Sequence, residues 1–518
     1  MYTFFEKGHS PICDKEVLKS LGADVLLYDS RINISDYFSD DIDVLKSRSI
    51  VFDDALNVRG LYDLLVSISG KLASISDILR SECEVGDRER SIFSAKQLEL
   101  YFEIIDEAEN YYTSLPKTEH FASEEFAQLF DRIHGIATSR EYHDLKEGTR
   151  KLIEKITRIK SISVGFNFDA KLSPVEMGII SVNDQYIESG KLVDKILRMD
   201  FAPNGLQAIE PIIAVNKSLK HDEFELLQDS ILRSVDKIFV RAVKSWPREF
   251  TKYIADKLAF LLDLLPDLQF ILAVTNIHKK LLGSGVPVSK PIYHEKSERV
   301  FRAEGLFNPV LAIRMNELGQ SGIVGNNFEF DENGQIFILT GPNNGGKSVF
   351  LSSIGLAQVL AGLGMLVPAK RIEISPVDRL FVHFPKYSNS EKMGRLEDEC
   401  VRIKEIFKNL NAESLCLFDE TFSSTDSEEG CQIAFEILRA VESLGARALF
   451  GTHFHNIVRH IEDEKAEGRC VGFDYLSAGI SHNEKRTYKI TRTKPSGKSH
   501  ASDIAAKYGL SFNSLVNK

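Results

Sequence analysis

The chain has 518 residues, of which 43% are hydrophobic and 27% are charged, and these values exclude a wholly disordered or fibrous protein. Its 64 lysine and arginine residues face 75 aspartate and glutamate residues, and the net charge of -11 excludes a globally basic nucleic-acid binder, although a local basic groove remains open. The six cysteines are scattered without metal-ligand spacing, so we expect a reduced, cytoplasmic protein with neither a disulfide framework nor a zinc site.

The N-terminal sequence and the most apolar segment both argue against export or membrane insertion. Residues 1–7 lack a basic start followed by an apolar stretch, so no export signal is predicted. Residues 258–274 are the most apolar segment, but they contain Asp263, Pro266 and Asp267. Charges and a proline within the segment predict a buried helix pair, and we expect no membrane partner.

The first part of the chain, residues 1–295, is predicted to be mostly helical. Apolar side chains recur at helical spacing along residues 61–79, which gives that helix one buried face. Further helices are predicted at residues 95–112, 146–159 and 223–243. Residues 161–169 differ, because large apolar side chains alternate there with smaller or polar ones and predict a strand.

A glycine- and proline-rich segment, residues 283–291, marks a boundary. Beyond it, in residues 296–518, short β-rich runs such as 336–339 and 415–418 alternate with helical segments. Short apolar runs of this kind are typical of parallel strands that are buried on both faces. The predicted fold class is therefore α/β plus mostly α: a helical N-terminal domain followed by a C-terminal α/β domain. The length leaves room for two large domains.

A glycine-rich loop lies between the predicted strand at residues 336–340 and an apolar helix. Its residues are Gly341, Pro342, Asn343, Asn344, Gly345, Gly346, Lys347 and Ser348. They satisfy G-x-x-x-x-G-K-[ST] in the strand–loop–helix context that the motif requires. Backbone amides of such a loop surround phosphates, while the lysine reaches the β- and γ-phosphates and the serine hydroxyl binds Mg²⁺. We therefore predict that these residues and Val349 bind a nucleotide; the alternative is an ordinary glycine-rich turn.

A second apolar run, residues 414–418, ends in two carboxylates. At a strand end beside the phosphate loop, Asp419 would support Mg²⁺ together with Ser348. Glu420 would polarise the attacking water as the general base, and Lys347 would act on the phosphates. The alternative is a solvated acidic pair at a strand end.

A third apolar run, residues 446–452, is followed by His453. A histidine at the end of such a strand could contact the γ-phosphate or the attacking water and report on the nucleotide state. The alternative is a structural histidine. We count His453 with Lys347 and Glu420 among the predicted catalytic residues.

These motifs resemble those of the MutS family of DNA mismatch-repair ATPases. Residues 341–348 resemble the family's phosphate loop, including the Pro-Asn after its first glycine. Other segments resemble the acidic strand and its following loop, the histidine strand, the segment between the first two motifs, and the closing helix; they are residues 417–420 with 424–426, 450–454, 367–380 and 499–510. The resemblance covers residues 306–510, and a weaker one links residues 43–52 to the start of the MutS lever region.

The resemblance implies a MutS core or lever-like domain at residues 1–295 and a MutS-type, ABC-type P-loop ATPase domain at residues 296–518. It implies ATP and Mg²⁺ as cofactors, hydrolysis to ADP and phosphate, and a homodimer through the ATPase domains. It places the adenine shelf at Ile323 or Val324, where an aliphatic side chain packs on the base. DNA, mismatched, branched or otherwise structured, is the implied partner, together with other repair proteins.

The sequence also departs from the family's pattern. Residues 393–399 stand where the family has a serine- and threonine-rich signature, and Arg395 could supply positive charge to a second subunit. Residues 4–6 match the Phe-x-Glu string of mismatch readers, but no α/β domain surrounds them and we expect a coincidence. The length leaves no room for the mismatch-reading and connector domains as well, and the C-terminal dimerising helices look trimmed.

Three functions are compatible with these observations. The first is an ATP-dependent clamp on DNA, with basic residues between Lys485 and Lys498 as candidate contacts, although such a stretch can equally be a solvated charged face. The second is the same ATPase acting on a protein partner or in recombination control, which the charge of -11 favours slightly. The third is a binding module with a degenerate site, which the intact Lys347 and Glu420 argue against.

Overall fold

A computed structural model of the chain describes residues 3–5, 12–27, 32–81, 87–116, 118–158, 160–172, 174–185, 213–214, 248–342, 344–385, 394–454, 456–480 and 486–495. The chain divides into two compact units. One contains residues 63–120 and 124–265, and the other contains residues 3–62, 121–123 and 266–518. The domain boundary between residues 295 and 296 stays a prediction.

Helices dominate the chain before residue 160. They are α1 (Lys15–Leu21), α2 (Asp24–Leu27), α3 (Ile42–Asn57), α4 (Leu61–Ser81), α5 (Asp87–Ser114), α6 (Glu124–Ala137) and α7 (Arg140–Arg158), with a 3-10 turn at Ile34–Tyr37 before α3. The helices predicted at residues 61–79, 95–112 and 146–159 correspond to α4, α5 and α7. The helix predicted at residues 223–243 lies outside the described residues.

A small antiparallel sheet follows the helices. Its strands are β1 (Ser161–Phe168), β2 (Pro174–Asn183) and the short β3 (Ile213–Ala214), which pair in that order. The predicted strand at residues 161–169 is therefore β1. Ser161 pairs with Asn183 at the open end of this hairpin.

The prediction of a helix pair at residues 258–274 is wrong, because this segment lies within one helix, α8 (Arg248–Gly283). Proline inside a helix removes one backbone hydrogen bond and tends to bend the helix, but packing can offset that cost. Leu264 and Leu268, on either side of Pro266, are both nearly fully buried. By length and composition, Lys257–Gly283 is also the one candidate membrane span among the described residues, and 56% of its most apolar window is buried. A core helix of a soluble protein passes the same test.

Strands and helices alternate in the rest of the chain. The strands are β4 (Ile292–Tyr293), β5 (Phe301–Leu306), β6 (Asn326–Glu329), β7 (Ile336–Thr340), β8 (Arg371–Ile374), β9 (Leu380–His383), β10 (Leu415–Asp419), β11 (Arg447–Gly451), β12 (Phe473–Ile480) and β13 (Arg486–Thr491). The helices are α9 (Pro309–Glu317), α10 (Lys347–Ala361), α11 (Arg395–Asn409), α12 (Ser427–Ser443) and α13 (Asn456–Ala466), with a 3-10 turn at Lys296–Glu298.

Two sheets are built from these strands. The larger has the order β13-β12-β7-β11-β10-β9, in which only the edge strand β13 is antiparallel to its neighbour. The smaller has the order β4-β8-β5-β6. The predicted apolar runs form β7, β10 and β11, whose residues are all buried. The α/β prediction for this part of the chain is confirmed.

The large sheet is covered by helices on both faces, because successive side chains of a strand point to opposite sides. Phe418 and Phe450 belong to one apolar cluster with residues of α11, α12 and α13. On the other face, Leu417 approaches α10. In register, Asp419 pairs with Gly451, and Gly451 pairs with Leu339, so the carboxyl ends of β10, β11 and β7 meet at one edge. The closing helix predicted at residues 499–510 lies outside the described residues.

Candidate nucleotide site

The phosphate loop joins β7 to α10, and its glycines are required by geometry. Gly341 and Gly346 have φ angles of 143° and 95°, which residues with a side chain rarely adopt. A Cβ atom at Gly345 would lie 2.8 Å from the Pro342 carbonyl oxygen. Asn344 also has a positive φ, of 59°. Asn343 lies outside the described residues. The backbone therefore turns tightly enough to present amides at the start of α10, the arrangement that binds phosphate.

Lys347 is the first residue of α10 and is only 4% exposed. Its Nζ donates hydrogen bonds to the carbonyl oxygens of Gly341, at 3.0 Å, and Pro342, at 3.4 Å. The same Nζ is 4.0 Å from Oε1 of Glu420. Burial lowers the pKa of Lys347, and the nearby Glu420 and Asp419 carboxylates oppose that shift. The Lys347 ammonium group is therefore held by backbone carbonyl groups of the phosphate loop.

Asp419 ends β10 and is 4% exposed. Burial raises its pKa, whereas a hydrogen bond from the Ser348 hydroxyl lowers it. Its Oδ1 accepts no hydrogen bond from any described residue. A buried carboxylate oxygen without a donor, next to a serine hydroxyl, is the type of oxygen set that Mg²⁺ accepts, and Mg²⁺ commonly uses one or two protein ligands beside water and phosphate. The residues present fit this cation.

Glu420 follows directly and has a positive φ of 48°. Its backbone N–H donates to the Gly451 carbonyl oxygen at 2.8 Å, which holds the turn against the end of β11. Its side chain is 35% exposed. The carboxylate thus faces the cleft from the end of β10, two strands from the phosphate loop.

These side chains line a cleft of about 930 Å³. Of the predicted nucleotide-contacting residues, it is lined by Ile323, Asn344, Gly346, Lys347, Ser348 and Val349, together with Val324, Asp419 and Glu420. Gly341, Pro342 and Gly345 shape the loop behind this surface. The cleft brings the phosphate loop, the carboxylates and the predicted adenine shelf together.

His453 is placed differently from these residues. It lies two residues beyond the end of β11, at the same sheet edge, but it is exposed and does not line the cleft. Its ring centroid is 4.9 Å from that of Phe454. A catalytic contact by His453 stays a prediction.

Tyr488 is a cleft residue that the sequence analysis missed. It lies on β13, is 48% exposed, and has a positive φ of 55°. A Cβ atom at Gly346 would lie 3.5 Å from the Tyr488 ring. The residue stands 140 positions after the phosphate loop, without a motif of its own. Only the pairing of β13 at the sheet edge brings it to the cleft.

Several other predicted residues have partners within the chain. Arg395 lies 3.5 Å from the Glu399 carboxylate, whereas Met393 of the same segment lies outside the described residues. Arg492 pairs with Asp331 and Asp474, and Lys494 pairs with Glu462. Lys485 and Lys498, the first and last residues of the basic stretch, lie outside the described residues. Engaged in this way, Arg492 and Lys494 are better explained as a charged face than as DNA contacts.

The Phe-x-Glu match at residues 4–6 is a packing feature. Phe4 and Phe5 are 7% and 3% exposed, and Phe5 lies against Phe52 and Phe270. The Phe4 amide donates to the Asp267 carboxylate at 2.8 Å. Glu6 lies outside the described residues. Buried side chains of this kind cannot insert between DNA bases. This agrees with the expectation from the sequence that the match is a coincidence.

A parallel sheet with this loop before α10, and with carboxylates at the end of β10, defines a P-loop nucleotide-binding domain. Comparison with known proteins identifies its kind. Residues 337–512 match the family described as MutS domain V. Endonuclease MutS2 of Staphylococcus aureus is 31% identical over 276 residues, which are 52% of this chain and 35% of that protein. The same protein from strains MRSA252 and JH9 is 31% and 30% identical over 276 residues, covering 52% of this chain and 32% of each relative.

The resemblance to the MutS family that the motifs indicated is therefore confirmed for the part of the chain that these comparisons cover. Domain V is the family's ATPase domain, and this chain carries it in its C-terminal part. The chain spans about a third of the length of the curated relatives it matches.

Proposed function

We propose that this chain is an ATP-driven switch that binds ATP and Mg²⁺ in the cleft and hydrolyses ATP to ADP and phosphate. The cycle would open and close a dimeric clamp on mismatched, branched or otherwise structured duplex DNA. We further propose a cytoplasmic location and other repair proteins as candidate partners. The nuclease activity in the relatives' name stays with those proteins, because the match covers only 35% of the first of them.

The observation that carries the proposal is the convergence of four side chains in one cleft. Lys347 Nζ lies 4.0 Å from Glu420, and Ser348 and Asp419 line the same cleft. Lys347 would neutralise charge on the β- and γ-phosphates, and the loop amides would fix their position. Glu420, more exposed than Asp419, would accept a proton from the attacking water.

Ser348 and Asp419 would hold Mg²⁺, which when bound neutralises phosphate charge. Asp419 is suited to this role because its charge is poorly solvated and Oδ1 has no other described donor. Ile323 or Val324 would pack on the adenine, and Tyr488, whose ring lies beside Gly346, lines the same cleft. His453 would contact the γ-phosphate or the attacking water from the same sheet edge, although it does not line the cleft.

Dimerisation and DNA binding are supported by the similarity to the MutS family alone. ATP would hold two ATPase domains together, and hydrolysis would release them and change the grip on DNA. The net charge of -11 and the internal pairing of Arg492 and Lys494 favour the alternative, in which the same ATPase acts on a protein partner or in recombination control.

Two substitutions test the ATPase assignment. We expect Glu420→Gln to lower kcat by about 10²–10³-fold while ATP still binds, because one transition-state group is lost. Lys347→Ala should weaken ATP binding itself. Turnover and equilibrium binding of a fluorescent ATP analogue separate these effects. Glu428→Gln, an exposed carboxylate on α12, is the matched control and should change neither quantity. Unchanged turnover in both Glu420→Gln and Lys347→Ala would refute the roles proposed here.

A further inference from the structure

The turn that carries Glu420 is held in a conformation that its residues do not favour. Glu420 and Phe422 have φ angles of 48° and 61°, in the left-handed region that residues with side chains seldom adopt. Such a turn persists only where its surroundings determine it. Groups that hold the turn therefore also determine the direction of the Glu420 carboxylate.

One of these groups comes from α11. Glu399 is buried, with a side chain that is 7% exposed, and its Oε2 accepts a hydrogen bond from the Phe422 N–H at 2.7 Å. Phe422 itself is 1% exposed, so this amide has little access to water. Hydrogen bonds from an N–H to an ionised carboxylate are shorter and stronger than neutral ones. Glu399 therefore stabilises the least favourable residue of the turn.

The second oxygen of the same carboxylate points to the protein surface. Its Oε1 is 3.5 Å from Nε of Arg395, whose side chain is 55% exposed. Arg395 is the first residue of α11, one turn before Glu399. A continuous set of polar contacts thus runs from an exposed arginine through a buried carboxylate to the turn after β10.

Other elements hold the rest of the turn. The Glu420 N–H donates to Gly451 at the end of β11, and Thr421 Oγ1 lies 2.9 Å from Nδ1 of the buried His383 on β9. These contacts fix the residues before Phe422. Glu399 fixes Phe422 itself and closes the turn on the side of α11.

We propose that Glu399 is a positioning residue for hydrolysis, acting through Glu420. By accepting the Phe422 amide, its carboxylate keeps the turn closed and the Glu420 side chain directed at the attacking water. Arg395 keeps Glu399 in place from the surface. This inference rests on the proposed function, because the role of Glu420 belongs to it.

The kinetic test compares Glu399→Ala, Glu399→Gln and Glu397→Gln in the full chain. Glu399→Ala removes the acceptor and should lower kcat at least tenfold, with KM for ATP within twofold of the parent. Glu399→Gln keeps an oxygen that can accept the Phe422 amide, and should retain kcat within threefold. Glu397 is exposed on the same helix turn, and Glu397→Gln should match the parent. An unchanged kcat in Glu399→Ala, or an equal loss in Glu399→Gln, would overturn the proposal.

Amide hydrogen exchange provides a readout that is independent of turnover. In the nucleotide-free chain, Glu399→Ala should speed exchange at Phe422 at least tenfold, whereas Glu399→Gln should keep it protected. Parental exchange in Glu399→Ala would refute the inference even if ATP is hydrolysed. A parent without ATPase activity would refute the proposed function, and the exchange data would still decide whether Glu399 orders the turn. If Glu399→Ala fails to fold, Glu399→Asp, whose carboxylate is one methylene shorter, replaces it with the same expected results.

Discussion

Asp419 shows how a single residue can be costly to the fold and useful to the site. Its carboxylate is buried, and burial raises its pKa above the ordinary value of 3.8. A raised pKa in the folded state means that the protonated form is favoured by folding. The contribution of Asp419 to stability is therefore greatest below pH 3.8 and falls as the pH rises through the folded-state pKa.

We therefore expect Asp419→Asn to raise the free energy of unfolding of the metal-free protein at pH 7, because the substitution removes a buried charge whose burial disfavours ionisation. The same substitution should remove the Mg²⁺ dependence of nucleotide affinity. Urea unfolding in EDTA and Mg²⁺ titrations of nucleotide binding measure the two effects. The stability gain should shrink toward pH 3, where both side chains are neutral. A less stable Asp419→Asn protein at pH 7 would contradict this account.

Tyr488 is a cleft residue that sequence motifs could not identify. The loop residues, Asp419 and Glu420 are recognisable because their chemistry requires a fixed order along the chain. Tyr488 has no such order, and its exposed ring reaches the cleft only because β13 pairs with β12. Glu399 is a similar case, since its partner Phe422 is 23 residues away.

Helix α10 is the element that joins the nucleotide site to the core. It begins at Lys347, and twelve of its residues are buried. At Gly355 the helix lies close to its neighbours, because a Cβ atom there would be 2.6 Å from Leu21 Cδ2 and 2.9 Å from Leu417 Cδ1. The missing side chain lets α10 pack between α1 and β10.

Gly355→Ala should therefore lower the free energy of unfolding by about 1–3 kcal/mol, because the added methyl overpacks a filled interface. Gly70→Ala, in the interior of α4, meets nothing within 4 Å and should instead raise stability by up to about 1 kcal/mol through helix propensity. Urea or thermal unfolding of both variants decides the matter. A gain in stability for Gly355→Ala would show that this packing is looser than described.

Secondary structure could be predicted from the sequence where a helix or strand buries apolar side chains at regular spacing. The runs of β7, β10 and β11 are apolar throughout because both faces of the sheet are covered. The error at Pro266 has the opposite origin. Local propensity ends a helix near proline, but buried residues on both sides keep α8 continuous.

At the scale of the whole molecule, the open question is the partner that the ATPase cycle controls. The net charge of -11 gives no general attraction to phosphate backbones, and two of the candidate basic residues, Arg492 and Lys494, are paired internally. DNA binding therefore requires a local basic surface, and its affinity must depend on salt.

Filter binding of branched, mismatched and fully paired duplexes of equal length tests this point. The Glu420→Gln variant with ATP and Mg²⁺ keeps the nucleotide bound during the assay. We expect structured duplex to bind at 50 mM salt and to lose about 10³–10⁵-fold in affinity by 200 mM, as six to ten phosphate contacts predict. The fully paired duplex should bind more weakly. Absence of binding at 50 mM salt would exclude the DNA clamp and support a protein partner.

The sequence by itself determined the nucleotide site's chemistry, because a phosphate loop and an acidic strand end must have particular residues at fixed spacing. It also determined the α/β character of the C-terminal part, since buried parallel strands require apolar runs. Tertiary structure decided which distant residues join that site. Strand order brings Asp419 to Ser348 and Tyr488 to the cleft, and packing of α11 brings Glu399 to Phe422. Contacts between residues far apart in the chain follow from packing and register, which local sequence patterns do not encode.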